Sequence, residues 1–473
     1  MSSTDFRMES DSVGEKEVPK GAYYGVQSLR AAENFDITGR KMYKEQIIAL
    51  AEIKKATAMA NHKAEILTDE VTDAIIKACD EIIEGKLHEE FICDPIQGGA
   101  GTSGNMNANE VIANRANEIL GGELGAYDKV HPNDHVNMGQ STNDVFPTSG
   151  KLAAIKLIPR TIDELEKLHE SLLKKAEEFD SVIKMGRTQM QDAVPIRLGQ
   201  EFNAYASVIK RDIARIKTAF EALHIINMGA SAIGTGINVD TTYFKEIVPT
   251  LSKVVGVELT QAEDLVDGTQ NLDGFVNASA SLKTLSVSLS KISNDLRLMS
   301  SGPRTGFGEI NLPSKQNGSS IMPGKINPVI PEVMSQVAFN VIGNDFTITM
   351  AAEGGQLELN AFEPVIFYNL FESIVTLANG IKTFRENCID GITANKERSK
   401  ALVHNSVGII TAIVPHVGYK PSAKIADRAI ATGESVRDLV LEGGLLTEAE
   451  LDEILDEFAM TEPGIAAKHL LDE

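Results

Sequence analysis

The 473-residue sequence predicts an all-α protein organised around a bundle of long helices. Three observations lead there. Aromatic residues make up only 5% of the chain and Trp is absent, so the core must be packed from Leu, Ile, Val, Ala and Met, which suits helix bundles better than β-sandwiches. Apolar residues recur every three or four positions over stretches far longer than an average helix. Short glycine-rich and hydroxyl-rich segments interrupt or border those stretches.

Residues 1–140 mix short helical patterns with glycine-rich breaks, notably Gly98-Gly99-Ala100-Gly101-Thr102-Ser103-Gly104, and read as a first, mostly helical domain. From about residue 145 the character changes. Leu152, Ile155, Ile158, Ile162, Leu165, Leu168, Leu172, Ala176 and Phe179 trace one long amphipathic helix, in which Pro159 predicts a kink. A second stripe joins Phe202, Ile209, Ile213, Ile216, Phe220 and Leu223. A third joins Phe275, Ala278, Leu282, Leu285, Leu289, Ile292, Leu296 and Met299. Pro331 is placed to open a fourth helix at its first position, with Val333, Val337 and Val341 on one face, and a fifth pattern runs from Pro364 to Phe384.

These stripes define a central bundle over 141–396. They present more apolar surface than one chain needs to bury, which predicts that several chains share it. Residues 397–473 turn to a small acidic region of short helices. Helix starts fall at Glu434-Ser435-Val436-Arg437 and at Leu445 to Glu450, where Thr447 and Glu450 have capping-box spacing.

The formal net charge of −22 repels phosphate backbones and anionic lipid heads, which argues against nucleic-acid and membrane partners. Cys79, Cys93 and Cys388 are widely separated and form no CxxC motif, as expected of a reducing cytoplasm. The polar stretch Met1 to Lys20 has no apolar signal-peptide region, and no run of 18 apolar residues occurs. His131 and His135 lie four apart, but Pro132-Asn133-Asp134 between them reads as a turn, so no metal site is expected. Gly318 to Lys325 departs from a phosphate-binding P-loop in its glycine spacing and in Ile326, and Gly234-Thr235-Gly236 lacks the third glycine of a dinucleotide fingerprint.

Chemistry is concentrated in Gly318-Ser319-Ser320-Ile321-Met322-Pro323-Gly324-Lys325-Ile326-Asn327-Pro328. Two hydroxyls, two glycines and a lysine–asparagine pair make poor helix or strand and a good mobile loop that closes on a small anion. Three further segments are small, uncharged and rich in hydroxyls and amides: Gly101-Thr102-Ser103, Gln140 to Asp144, and Gly186-Arg187-Thr188-Gln189. Singly, each has an ordinary reading as a helix cap or turn. Together they supply the donors that hold carboxylate oxygens without a metal.

This combination resembles the aspartase/fumarase superfamily. The loop looks like its signature, and Gly98 to Glu110, His131 to Asp144 and Gly186 to Phe202 look like its other active-site segments. Similarity runs from Ala22-Tyr23-Tyr24-Gly25-Val26-Gln27 to Gly443–Glu450, nearly the whole chain. Thr142 after Ser141, Val329-Ile330-Pro331-Glu332 after the loop, and Ala394-Asn395-Lys396-Glu397 are similar to the aspartase branch and unlike the fumarase branch.

The resemblance implies a three-domain fold, with the catalytic loop near 315–328, assembled as a homotetramer whose active sites combine three subunits. It implies reversible loss of ammonia from L-aspartate to give fumarate, with no cofactor. Ser319 is then the general base. Thr102, Ser141, Thr142 and Ser320 are donors to the β-carboxylate, and Lys325 and Asn327 ligands of the α-carboxylate. Asn143, Thr188 and Gln189 lie near the ammonium or α-carboxylate. Many relatives have His where this chain has Gln189, which can hydrogen-bond but carry no catalytic proton. Arg187 is expected to be structural, pairing Asp144 or Asp192. His131 to Asp134 matches a secondary carboxylate site of fumarases, though a plain turn is the expectation here.

Overall fold

The computed structural model describes residues 5–471; the first four residues of the polar N-terminal stretch and the last two of the C-terminal region lie outside it. A hairpin of β1 (Phe6–Asp11) and β2 (Gly14–Pro19) precedes α1 (Val26–Asn34), α2 (Lys44–Lys63), α3 (Asp69–Ile83) and α4 (Thr102–Ile119). After one π-helical turn at Pro132–Val136 comes α5 (Thr142–Glu178), whose 37 residues span about 55 Å. A second hairpin, β3 (Ile183–Thr188) with β4 (Gln191–Arg197), leads into α6 (Leu198–Glu221).

Short parallel strands β5 (Ile225–Ile226) and β6 (Thr260–Gln261) flank α7 (Thr241–Val255), followed by α8 (Asp267–Gln270) and α9 (Asp273–Met299). Strand β7 (Ile310–Asn311) precedes α10 (Val329–Glu353) and α11 (Glu363–Asn387), and pairs with β8 (Thr393–Ala394). Five short helices close the chain: α12 (Lys396–His404), α13 (Ile410–Val417), α14 (Tyr419–Thr432), α15 (Val436–Glu442) and α16 (Glu448–Ile454).

All five long stripes are helices. Leu165, Leu168 and Leu172 on α5, Phe202, Ile209 and Ile216 on α6, and Leu282, Leu285, Leu289, Ile292 and Leu296 on α9 are fully buried, whereas on α10 only Val341 of the expected face is core and Val333 is exposed. Helix α5 runs on through both Pro147 and Pro159. Helix α10 starts at Val329, so Pro331 is its third residue rather than its first, still within the turn whose N–H groups need no helical partner. Ser435 caps α15, and Thr447 with Glu450 makes the expected capping box on α16. Among the described residues one helix, 363–391, is long and apolar enough to cross a membrane by composition, but Ile366, Phe367, Leu370, Phe371, Ile374 and Leu377 are buried in protein. The described residues also form four two-stranded sheets, which the sequence pattern does not predict.

The chain divides into two compact units. The first is Met1–Ile162, Ala214–Thr284 and Phe339–Ala378. An aromatic series runs through it: Tyr43 meets Phe371 edge-on, Phe371 stacks on Phe367, and Phe367 contacts both Phe146 and Phe275 with ring centroids 5.4 and 5.1 Å apart. Gly150 lets α5 lie on the Phe367 ring, since a Cβ there would stand 2.2 Å from it. At the N-terminal end the buried Glu110 carboxylate accepts the backbone N–H groups of Gly25, Gln27 and Ser28, capping α1 from α4. On α10 an apolar stripe of Phe339, Phe346 and Met350 faces solvent, each more than half exposed.

The second unit is Asp163–Ile213, Leu285–Ala338 and Asn379–Glu473. Ile183 and Met185 of β3 share a core with Val403, Ile413, Leu439 and Leu451 of the short C-terminal helices. Across the chain all three cysteines are free and buried. Burial pushes the Cys93 and Cys388 thiols up to about 12 and Cys79 higher still.

Candidate active site

Thr102, Ser141, Thr142 and Asn143 lie in the first unit, at the N-termini of two helices. Gly101, at φ +86°, ends the glycine-rich turn and admits the Phe146 ring of α5 against the start of α4. Thr102 is exposed, and its hydroxyl donates to the Gly99 carbonyl at 2.7 Å.

Asp144 organises the start of α5. Its carboxylate accepts from the Ser141 N–H at 3.0 Å, and from the Gly229 and Ser231 N–H groups at 3.2 and 3.1 Å. The Asn143 amide donates to the Ala232 carbonyl at 2.7 Å, and Asn227 donates to the Asn143 carbonyl at 3.0 Å. Segment 141–144 is thereby tied to 227–232.

Beneath it lies a buried polar network. Lys54 of α2 donates to Asn137 at 2.9 Å and Gln140 at 2.8 Å. Asn109 and Asn105 of α4 donate to the same Asn137 oxygen, and Asn105 also donates to Thr142 Oγ1 at 3.1 Å. Complete burial lowers Lys54 to about 7 and raises Asp144 to about 6, each shift opposed by the attraction between the two. Thr142 Oγ1 accepts from Asn105, and Ser141 Oγ accepts from the Asn143 N–H at 3.2 Å. Neither hydroxyl donates a hydrogen bond to protein among the described residues.

Asn105, Asn109 and Asn137 fall inside two of the segments that resemble active-site segments without being individual candidates, and Lys54 lies outside all of them. The available signal was the run of buried asparagines on α4, at 105, 107, 109, 114 and 117, in a position where helix propensity favours other residues.

In the second unit, Thr188 and Gln189 occupy the exposed end of the β3–β4 hairpin. Gln189 and Met190 have φ of +53° and +65°, so the turn is of the mirror-image kind that usually carries Gly or Asn. Arg187 donates to Glu309 at 2.8 Å and lies 3.8 Å from Asp192. Of its two expected partners, Asp192 is thus the looser one and Asp144 is occupied by backbone N–H groups, while the main partner is Glu309, which the sequence does not point to. A cleft of about 510 Å³ opens beside the hairpin, lined by Lys184, Arg187, Gln189, Glu201 and Phe307 among others.

The loop is tied at its neck. The Gly318 N–H donates to the Lys325 carbonyl at 2.9 Å, and the Asn327 amide donates to the Gly318 carbonyl at 2.6 Å. A side chain at Gly318 would meet that Lys325 carbonyl at 2.4 Å. Half-buried Ser319 turns its Oγ back into the loop, where it accepts from the Met322 N–H at 2.9 Å and the Ile321 N–H at 3.2 Å. Ser320 and Lys325 are exposed, and no carboxylate among the described residues pairs with Lys325. Likewise, no hydrogen bond among the described residues joins the hairpin end to the loop.

The segment 131–136 is the π-helical turn, capped by His131, rather than a plain turn. His131 Nδ1 accepts from the Asn133 and Asp134 N–H groups, and His135 Nδ1 from the His131 N–H.

Residues 14–343 match the family described as Lyase, and residues 409–462 match Fumarase C C-terminus. The chain belongs to the aspartase/fumarase superfamily. Within that superfamily it is 55% identical over 469 residues to the aspartate ammonia-lyase of Bacillus subtilis (strain 168), covering 99% of both chains. The fold is shared with the crystal structure of a fumarate lyase:delta crystallin from Brucella melitensis bound to cobalt, at 48% identity and a TM-score of 0.94, covering 97% of this chain and 100% of that one. A recombinant class II fumarase from Schistosoma mansoni superposes with the same TM-score and coverage at 36% identity.

Proposed function

We propose that this superfamily member catalyses the reversible, non-oxidative deamination of L-aspartate to fumarate and ammonia. The observation that carries the chemistry is the Ser319 Oγ, which two backbone N–H groups address at once. Donors fixed in that way stabilise an alkoxide, as they would the oxyanion of an acyl-transfer intermediate. Ser319 in that state takes a proton from Cβ. The electron pair flows into the β-carboxylate, giving an aci-carboxylate. As the intermediate collapses, the pair returns to form the Cα–Cβ double bond, the Cα–N bond breaks, and the nitrogen leaves as ammonia with the bonding pair; the proton on Ser319 then passes to that ammonia, giving ammonium and restoring the alkoxide. The substrate's own carboxylate is the electron sink, so the reaction calls for no cofactor.

Ser141 and Thr142, with their protons free, and Thr102 and Ser320 hold the aci-carboxylate. Thr102 reaches it by exchanging the Gly99 carbonyl for substrate. Lys325 supplies a point charge and Asn327 its remaining amide N–H to the α-carboxylate. Asn143, Thr188 and Gln189 surround the ammonium and α-carboxylate by hydrogen bonding alone.

The active enzyme is a homotetramer, each site drawing segments from three subunits. The exposed stripe of Phe339, Phe346 and Met350 supports shared burial between chains. The acidic surface and three protonated, buried thiols suit a cytoplasmic location. The domain division at 140 and 396 accompanies this reading.

The competing activity is hydration of fumarate to malate, which the lower identity to the class II fumarase disfavours. Following fumarate absorbance with L-aspartate and with L-malate separates the two. Turnover of malate without aspartate would replace the proposal, and turnover of neither would favour a catalytically silent structural relative.

A further inference from the structure

We infer that the buried Glu309 carboxylate is a positioning group for the site: by clamping Arg187 and Lys184 it holds the hairpin end that carries Thr188 and Gln189. The inference rests on the reading of Thr188 and Gln189 as substrate ligands.

Glu309 is completely buried, ten residues before Ser319. Its backbone is fixed on both sides, the N–H donating to the Met299 carbonyl at 2.9 Å and the carbonyl accepting from the Asn395 N–H at 2.8 Å. The carboxylate therefore has a rigid base. One oxygen accepts from Arg187 at 2.8 Å, and the other stands 3.1 Å from the buried Lys184 ammonium, which also reaches Glu201 at 2.9 Å. Arg187 lies over the Phe307 ring, its guanidinium carbon 4.0 Å from the centroid. Two cations of one strand are thus gathered onto one carboxylate.

The hairpin needs such an anchor. Beyond Arg187 the chain enters two consecutive left-handed residues with no glycine, a conformation that costs free energy and is kept only where neighbours enforce it. The strand pairing shifts register between Met185 and Arg187, at Gly186, where a Cβ would lie 2.6 Å from the Val194 carbonyl. That bulge turns Arg187 toward Glu309. The Thr188 and Gln189 side chains make no hydrogen bond to protein among the described residues. Their placement therefore depends on the residue before them.

Two variants test the clamp, E309Q, which removes the charge, and R187K, which keeps the charge but loses the planar fork and the ring contact. KM and kcat for L-aspartate are measured on the assembled enzyme, with amide hydrogen exchange across 183–197. Both variants are expected to raise KM about tenfold, equivalent to about 1.4 kcal/mol of binding, with kcat within about threefold of wild type. Exchange at 187–192 is expected to accelerate while α6 keeps its protection. A fall in kcat at unchanged KM would mean only that fewer sites are folded, and would overturn the inference, as would unaltered kinetics and exchange. Should E309Q fail to assemble, R187K carries the decision. If wild type does not turn over aspartate, the functional reading fails on its own, and exchange at 187–192 still judges the clamp.

Discussion

The ring of Phe146 occupies the space that a side chain at Gly101 would need, 2.2 Å from an ideal Cβ. Through this contact the start of α5 sets the start of α4, and hence where Thr102 stands relative to Ser141 and Thr142. Gly101→Ala adds a methyl group to a filled space and forces a left-handed φ on an alanine. A loss of about 2 to 4 kcal/mol of stability is expected, read as a clear drop in thermal midpoint. A midpoint within a degree of wild type would show that the two helices are aligned by something else.

Ser319→Ala removes the oxygen that the Ile321 and Met322 N–H groups address. Deamination should fall by about a thousandfold or more, with the assembly state unchanged in analytical ultracentrifugation. Residual turnover near the wild-type rate would assign proton abstraction to another group.

Lys54 gives a pH signature. Its folded pKa is about 7 against an ordinary value of 10.5, so the native state pays for carrying the ammonium at low pH. Between pH 7 and 10.5 the unfolded chain binds more protons at this residue than the folded one, and stability rises with pH. The cost is full below pH 7 and is relieved as pH rises through that window. Wild type should therefore gain stability relative to Lys54→Met from pH 7 to pH 10 in urea titrations. A constant difference over that range would mean that Lys54 keeps an ordinary pKa.

Phe346 is 68% exposed on the apolar stripe of α10. Phe346→Glu places a charge where the proposed assembly buries that face. Sedimentation should report smaller particles, and deamination should be lost with them. Full activity in a monomer-sized species would contradict active sites built from several subunits.

The long helices were legible because their apolar residues keep one face over many turns, and α9 alone places eight successive stripe residues in the core. The hairpin β3–β4 was not. Gly186 and Pro195 interrupt its alternation, and its turn uses Gln189 and Met190 where Asn-Gly would have announced it. At the candidate site, Ser319 and its loop stood out because glycine, proline and hydroxyls crowd together there. Lys54 did not, because a charged residue inside an apolar helical pattern looks like the edge of a helix face until the opposite wall of the core is known, and Glu309 did not, because it precedes a two-residue strand in a stretch with no periodicity to mark it as buried. Partners far away in sequence, such as Arg187 and Glu309, are joined only by the folded chain.

The three cysteines leave the protein chemically quiet toward thiol reagents, since each sulfur is both enclosed and protonated at neutral pH. No background substitution is needed before a reporter is attached. Ile321, 81% exposed on the loop, could be exchanged for a cysteine that would be the one reactive thiol of the folded chain. A fluorophore or spin label there would report whether the loop moves during turnover, in an otherwise unaltered enzyme.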